Sequence, residues 1–235
     1  MLRAYFNYVY NPVYDRTTAR LERYSTLQKR CIEKLELAAG NSILCVGIGT
    51  GNELTRMFQA NRDIEVTGID FSQTALNKAE QKATALGKAI KTQVMDAHHL
   101  EFPPESFDRV LCFHVMDFVT DVDQVSAEIL RVVKTGGKFV ITYPSGKEGL
   151  KSSYGLFKDG LNSRKKGNKP AGLSLISFLG QMWMGVVYLP LLFRPKRKCY
   201  SREQLEKLLT TTRQCTFHID IDPVYQDFIV YGTAT

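Results

Sequence analysis

Four apolar residues, Ile43-Leu44-Cys45-Val46, run directly into Gly47-Ile48-Gly49-Thr50-Gly51. A short unbroken apolar run suits a strand buried on both faces of a parallel sheet, and such a sheet needs helices over each face. The residues around it repeat that theme. Helical spacing of Leu21, Tyr24, Leu27, Cys31, Ile32 and Leu35 predicts a helix over 18–37, stopped at Gly40. Further strands are predicted at 64–70, 90–95, 107–113 and 138–143, with a Thr-Gly-Gly turn at 135–137. Helices are predicted at 52–60, at 72–86 between the N-cap Ser72 and the stop Gly87, and at 122–133. A helix at 201–210 and strand-like runs at 216–221 and 227–232 follow, the runs joined through Asp222-Pro223. The pattern is an α/β, doubly wound, mostly parallel seven-stranded sheet that ends in an antiparallel hairpin.

The 235 residues, 44% hydrophobic and 23% charged, support one sizeable core and exclude a disordered chain. The net charge is +7. Residues 144–198 hold 11 Lys and Arg against Glu148 and Asp159, a local balance of +9 that leaves −2 for the remainder. One surface, rather than the whole protein, therefore attracts anions. The five cysteines are widely spaced and form no C-x-x-C pair, which excludes a zinc ribbon or a redox pair and fits a reducing cytoplasm. No sustained apolar region precedes Pro12, so no secretory signal is expected. His98 and His99 are adjacent, diverge on any regular element, and read as solvated loop residues; no metal is expected.

In an open α/β sheet, ligands bind at the carboxyl ends of the strands, so the glycine loop after the first strand should touch one. Its spacing is G-x-G-x-G. Asn52 stands where a dinucleotide fingerprint has its third glycine, which speaks against a nicotinamide cofactor and suits one without a pyrophosphate. Asp70 ends the second strand, where a carboxylate can accept from both vicinal hydroxyls of a ribose. Asp96 follows the third strand, within reach of an adenine amino group. Each acid alone reads equally well as an exposed turn residue; in register with the glycine loop they specify an adenosine-bearing ligand.

The stretches Ile43–Gly51, Gly68–Ser72, Met95–Ala97, Ser106–Val119 and Glu128–Tyr143 resemble class I S-adenosylmethionine-dependent methyltransferases, in particular the group of the ubiquinone/menaquinone-biosynthesis enzymes. The resemblance covers about residues 20–143 and the closing helix and hairpin at 201–232. It implies the Rossmann-like methyltransferase fold, S-adenosylmethionine as cofactor, and cofactor contacts from Gly47, Ile48, Gly49, Gly51, Asp70, Phe71, Asp96, Ala97 and Phe113. It divides one domain into an N-terminal lid and helix (1–40), a cofactor core (41–143), a cap inserted after the fifth strand (144–200) and a closing helix and hairpin (201–235). Tyr14 resembles a lid tyrosine that closes over the site; simple packing is the other reading. One position departs: the family usually carries Asp or Glu two residues before the first glycine, where it helps hold the cofactor's ammonium group, and here that residue is Cys45.

Methyl transfer needs two reactants positioned and water excluded, because the sulfonium supplies the activation. A base is needed only if the nucleophile carries a proton. The candidate is His114, just after the fourth strand; it reads equally as a residue packed over the cofactor. The N/D-P-P-Y/F motif of enzymes that methylate nucleic-acid bases is absent after that strand, where the chain reads Cys112-Phe113-His114-Val115. Nucleic acid is therefore not expected as a partner, despite a pI near 9.1. Residues 171–193 carry no charge, but Gly172, Gly180, Gln181, Gly185 and Pro190 favour two short helices over one bilayer span. Basic clusters at 164–169 and 194–198 flank the run. It reads as the lining of an acceptor pocket, as a peripheral membrane contact through 164–198, or as a dimer interface. His114, Trp183 and Tyr143 are expected to meet the acceptor. The expected activity is methylation of an O, N or C nucleophile on a hydrophobic small molecule, whether a quinone precursor, a natural product or a lipid. The alternatives are a cofactor-binding protein that has lost catalysis and a nicotinamide-dependent oxidoreductase.

Overall fold

The computed structural model describes Asp15 and residues 22–145, 199–223 and 227–235. Its helices are α1 (Glu22–Leu35), α2 (Leu54–Ala60), α3 (Gln73–Ala85), α4 (Val122–Val132) and α5 (Arg202–Thr212). Its strands are β1 (Asn41–Val46), β2 (Ile64–Asp70), β3 (Lys91–Val94), β4 (Phe107–Cys112), β5 (Val133–Tyr143), β6 (Cys215–Ile221) and β7 (Phe228–Ala234). They form one sheet in the order β3-β2-β1-β4-β5-β7-β6. β1 to β5 are parallel, and β7 runs antiparallel to both β5 and β6. From β1 the chain winds outward through β2 and β3, then returns to the other side of β1 as β4. That reversal opens a crevice at the carboxyl ends of β1 and β4.

Alternation along β1 explains the unbroken apolar run. Leu44 and Val46 face a core shared with Val110, Cys112 and residues of α4 and α5. Ile43 and Cys45 face a second core shared with Leu27 and Cys31 of α1 and Leu54 and Met57 of α2. Each fully buried Leu or Ile stabilises the fold by roughly 1.5–3 kcal/mol. Three helices are capped by side chains: Ser72, as the sequence predicts, accepts from the Ala75 N–H, Asp121 accepts from the Gln124 N–H, and Ser201 and Gln204 form a reciprocal capping box. α1 is pinned to the β6–β7 hairpin by Arg30 on Asp222 at 3.0 Å and by Lys34 on the Tyr231 hydroxyl at 2.8 Å.

Two strands differ from the sequence expectation. The turn at 135–137 is absent: β5 runs on through both glycines. Phe107 of β4 faces Val133, but Arg109 faces Lys138, so the extra residues of β5 are absorbed as an irregularity around Gly136, whose φ is 78°. β3 is shorter than predicted and lies at the sheet edge, with three of its four residues exposed. Among the described residues no helix is long and apolar enough to cross a membrane. Tyr14, Trp183 and the run 171–193 lie outside the described residues.

Tyr143 corrects a sequence expectation. Instead of facing an acceptor, it is fully buried in the core at the end of β5. Its hydroxyl lies 2.8 Å from Ser126 Oγ, and its ring meets Tyr200 edge-on. The alternation of β5 turns it inward, which periodicity alone did not distinguish from the rim. Ser126 also donates to the Val122 carbonyl, so it keeps a partner if the phenol is removed. Tyr143→Phe should therefore cost only about 1 kcal/mol. Urea denaturation checks the loss, and ligand binding at the sheet edge should be unchanged.

Candidate active site

At the end of β1 the chain must turn sharply between two packed layers. Gly47, Gly49 and Gly51 all adopt left-handed backbone, with φ of 66°, 55° and 72°. The Ile48 N–H donates to the Ile69 carbonyl at 2.9 Å, stitching the loop to β2. A Cβ on Gly47 would lie 2.4 Å from Val115, so the loop also abuts the segment that follows β4. A Cβ on Gly49 would meet nothing nearer than the Gly47 carbonyl at 4.0 Å. Among the described residues, that side of the loop is open.

Asp70 clasps this loop from the end of β2. Its Oδ2 accepts from the Gly49 N–H at 3.0 Å, and its Oδ1 accepts from the Ser72 N–H at 2.9 Å. Burial pushes its carboxyl up to about 6, against the backbone N–H bonds of Ser72, Gly49 and Phe71 that lower it. Beside the loop sits an acid that no sequence pattern singled out. Glu53, at the start of α2, is only 7% exposed and makes no side-chain capping bond. Its Oε2 has no hydrogen-bond partner among the described residues. Burial pushes it up to about 7; its own backbone N–H and Lys82 lower it, and the charges of Asp15 and Asp70 raise it further.

A polar network spans the outer side of the loop. Thr50 Oγ1 donates to Asp15 at 2.5 Å, and Lys82 reaches Asp15 at 3.0 Å and the Asn52 amide oxygen at 2.5 Å. The segment ahead of α1 thus touches the glycine loop through Asp15. Asp96 lies past β3, largely exposed. Bonds from the His98 backbone N–H at 3.0 Å and from its Nδ1 at 2.6 Å hold its carboxyl below the ordinary value. His98 Nε2 in turn accepts from the N–H groups of Thr120 and Asp121 at 3.2 and 3.1 Å. His98 is therefore a bridge between two loops, not the solvated residue its sequence suggested; His99 is exposed.

His114 lies two residues past the end of β4, with φ of 55°. Its N–H donates to Thr142 Oγ1 at 2.8 Å, which fixes the bend. Its ring stacks on Tyr24 at 5.9 Å and 15°, and Phe113 meets it edge-on at 4.4 Å. Its Nδ1 lies 3.6 Å from Asp227 Oδ2 and 4.0 Å from Asp117 Oδ2, both on nearly buried side chains. Asp227 comes from the mouth of the hairpin, where the Asp222 N–H donates to the Asp227 carbonyl at 2.8 Å. The sequence reading found His114 but neither carboxylate. The described residues hold no group of three or more His, Cys, Asp or Glu side chains able to bind a metal. An open groove lined by Ser42, Thr67, Thr92 and Phe107 lies at the amino ends of the strands, away from these groups.

Residues 44–141 match a family model described as a methyltransferase domain. The chain is 39% identical over 106 residues to a phosphatidylethanolamine N-methyltransferase of Cereibacter sphaeroides, covering 44% of this chain and 51% of that protein. It is 35% identical over 139 residues to a demethylmenaquinone methyltransferase of Lactobacillus johnsonii, covering 55% and 57%. The chain thus spans about half the length of these curated relatives. A crystal structure of a S-adenosylmethionine-dependent methyltransferase from Aquifex aeolicus superposes with a TM-score of 0.57 at 15% identity, over 88% of this chain and 89% of that one. That likeness shows the fold: the seven-stranded sheet is the class I methyltransferase sheet.

The buried acids predict a pH dependence of stability. Asp70 and Glu53 ionise near 3.8 and 4.5 when unfolded but near 6 and 7 when folded. Between about pH 4 and 7 the folded state binds more protons, so the ligand-free protein should lose stability as pH rises through this window. Asp70→Asn should flatten part of that decline. Urea midpoints measured at pH 4.5, 6 and 7.5 provide the check.

Proposed function

We propose, from the premise that residues 44–141 belong to the methyltransferase-domain family, that this chain transfers a methyl group from S-adenosylmethionine to an O, N or C nucleophile of a hydrophobic small molecule. One observation carries the cofactor half. The left-handed glycine loop and Asp70 converge at the carboxyl edge of β1 and β2 and leave the Gly49 side open. The residues fit the cofactor on a second count: Glu53 Oε2 is a buried acceptor that lacks a donor among the described residues.

In this reading the backbone of Gly47, Ile48, Gly49 and Gly51 cradles the ligand. Each Asp70 oxygen keeps a lone pair after bonding the loop, and the two together accept from vicinal ribose hydroxyls. Asp96, steadied by His98, and Ala97 take the adenine end, with Phe71 and Phe113 as apolar walls. When bound, the cofactor supplies a methyl group already activated by the sulfonium charge. His114 takes a proton from the acceptor: Asp117 and Asp227 face Nδ1 and stabilise the charge that develops, so Nε2 is the nitrogen that moves the proton. Tyr14 covers the site, a role supported by the contact of its neighbour Asp15 with Thr50.

Relatives named for a phospholipid and for a quinone support an apolar acceptor. The uncharged run 171–193, with Trp183, supports a pocket that receives it. The basic clusters on either side support a second use of the same segment, peripheral contact with an anionic membrane surface at its cytoplasmic face.

Incubation of the protein with S-adenosylmethionine and a panel of apolar acceptors should yield S-adenosylhomocysteine, detected by mass spectrometry. Cofactor binding with no turnover on any acceptor would instead favour a binding protein that has lost catalysis. Asp70→Asn should weaken S-adenosylhomocysteine binding by about 1.5–3 kcal/mol, because an amide N–H then opposes the N–H of Gly49 or Ser72. Calorimetry showing equal affinity sinks that assignment. His114→Ala should lower turnover about 100-fold, and Asp227→Asn about 10-fold, with cofactor affinity little changed in either. Wild-type rates in His114→Ala would remove the base.

A further inference from the structure

We infer that the Glu53 carboxylate is the charge partner of the cofactor's ammonium group. This rests on the cofactor reading above, which takes Glu53 as an unmet acceptor without saying which group of the cofactor meets it. Glu53 opens α2 immediately after the glycine loop, yet its side chain caps nothing. It is buried, and Oε2 has no donor among the described residues. Among the described residues, the cations around α2 are committed elsewhere. Lys82 binds Asp15, Asn52 and Thr50, and Arg56 binds Gln28 and Ser25. The nearby acids Asp15 and Asp70 only add negative charge.

A buried carboxylate with an unmet oxygen is costly, more so than a neutral polar group, and a cation with N–H donors is what removes that cost. S-adenosylmethionine carries two cations. The sulfonium has no N–H and leaves Oε2 without a hydrogen bond; the ammonium has three donors. The placement agrees. The Leu54 N–H donates to the Gly51 carbonyl at 3.3 Å, so Glu53 sits inside the turn that leaves the glycine loop. The carboxylate therefore stands by the ends of β1 and β2 that carry the loop.

Calorimetry at pH 8 with three ligands tests this on the full chain. S-adenosylhomocysteine has the ammonium without the sulfonium, S-adenosylmethionine has both, and 5′-methylthioadenosine has neither. Glu53→Gln should weaken binding of the first two by about 10-fold or more and leave the third unchanged. A deaminated S-adenosylhomocysteine supplies a check that needs no variant: the wild-type protein should bind it as weakly as Glu53→Gln binds the parent compound, and the two losses should not add. A loss confined to S-adenosylmethionine assigns Glu53 to the sulfonium and overturns the inference. Equal loss for all three ligands, or none, also overturns it, as does full wild-type affinity for the deaminated compound. A wild-type protein that binds none of these ligands refutes the cofactor reading itself, which separates that failure from a failure at Glu53.

Discussion

β1 has a helical layer against each face, so its last four residues leave water almost completely; Ile43 and Leu44 are fully buried and Cys45 is 2% exposed. No charge can sit there without a large desolvation cost. The turn that follows must be made from backbone alone, with Gly47 pressed against Val115 and Gly51 against Ala79. Every side chain that acts near the loop must then come from a neighbour. Asp70 does so from β2, Glu53 from α2, and Asp15 and Lys82 from outside.

These neighbours share an electrostatic problem and answer it differently. Asp70 is buried but receives backbone N–H groups, one of them from the loop it supports. Its desolvation is partly offset, and the same bonds fix the loop. Glu53 is buried without such compensation at Oε2. A site with one satisfied and one unsatisfied carboxylate has a polarity: it is preorganised for hydroxyl donors on one side and short of a cation on the other.

The His114 side of the crevice depends on the hairpin. β7 runs antiparallel to β5, with Phe228 opposite Tyr143. Its first residues therefore lie at the carboxyl ends of the parallel strands, and Asp227 reaches His114. The Arg30–Asp222 pair ties that corner to α1. α1 also supplies Tyr24 beneath the imidazole. Stability and site geometry are thus set by the same contacts, and loosening the hairpin corner would disturb both.

The sequence by itself determined the parts that depend on local chemistry. Apolar runs and helical stripes located the elements, Ser72 marked a cap, and the glycine spacing located the sharp loop after β1 that Asp70 clasps. The same local signals misjudged residues 135–137, where a strand continues through glycines because β4 holds both ends. They placed Tyr143 at the rim when its alternation turns it inward, and they read His98 as solvated when it joins two loops. Only the tertiary structure brought Asp117 and Asp227 to His114 and left Glu53 buried at the start of α2. Asp227 is remote in sequence from His114 and meets it through the order of the strands, whereas Asp117 lies only three residues on and faces the ring because the chain bends after β4. A side chain's burial and the charges around it are properties of packing, which no local pattern carries.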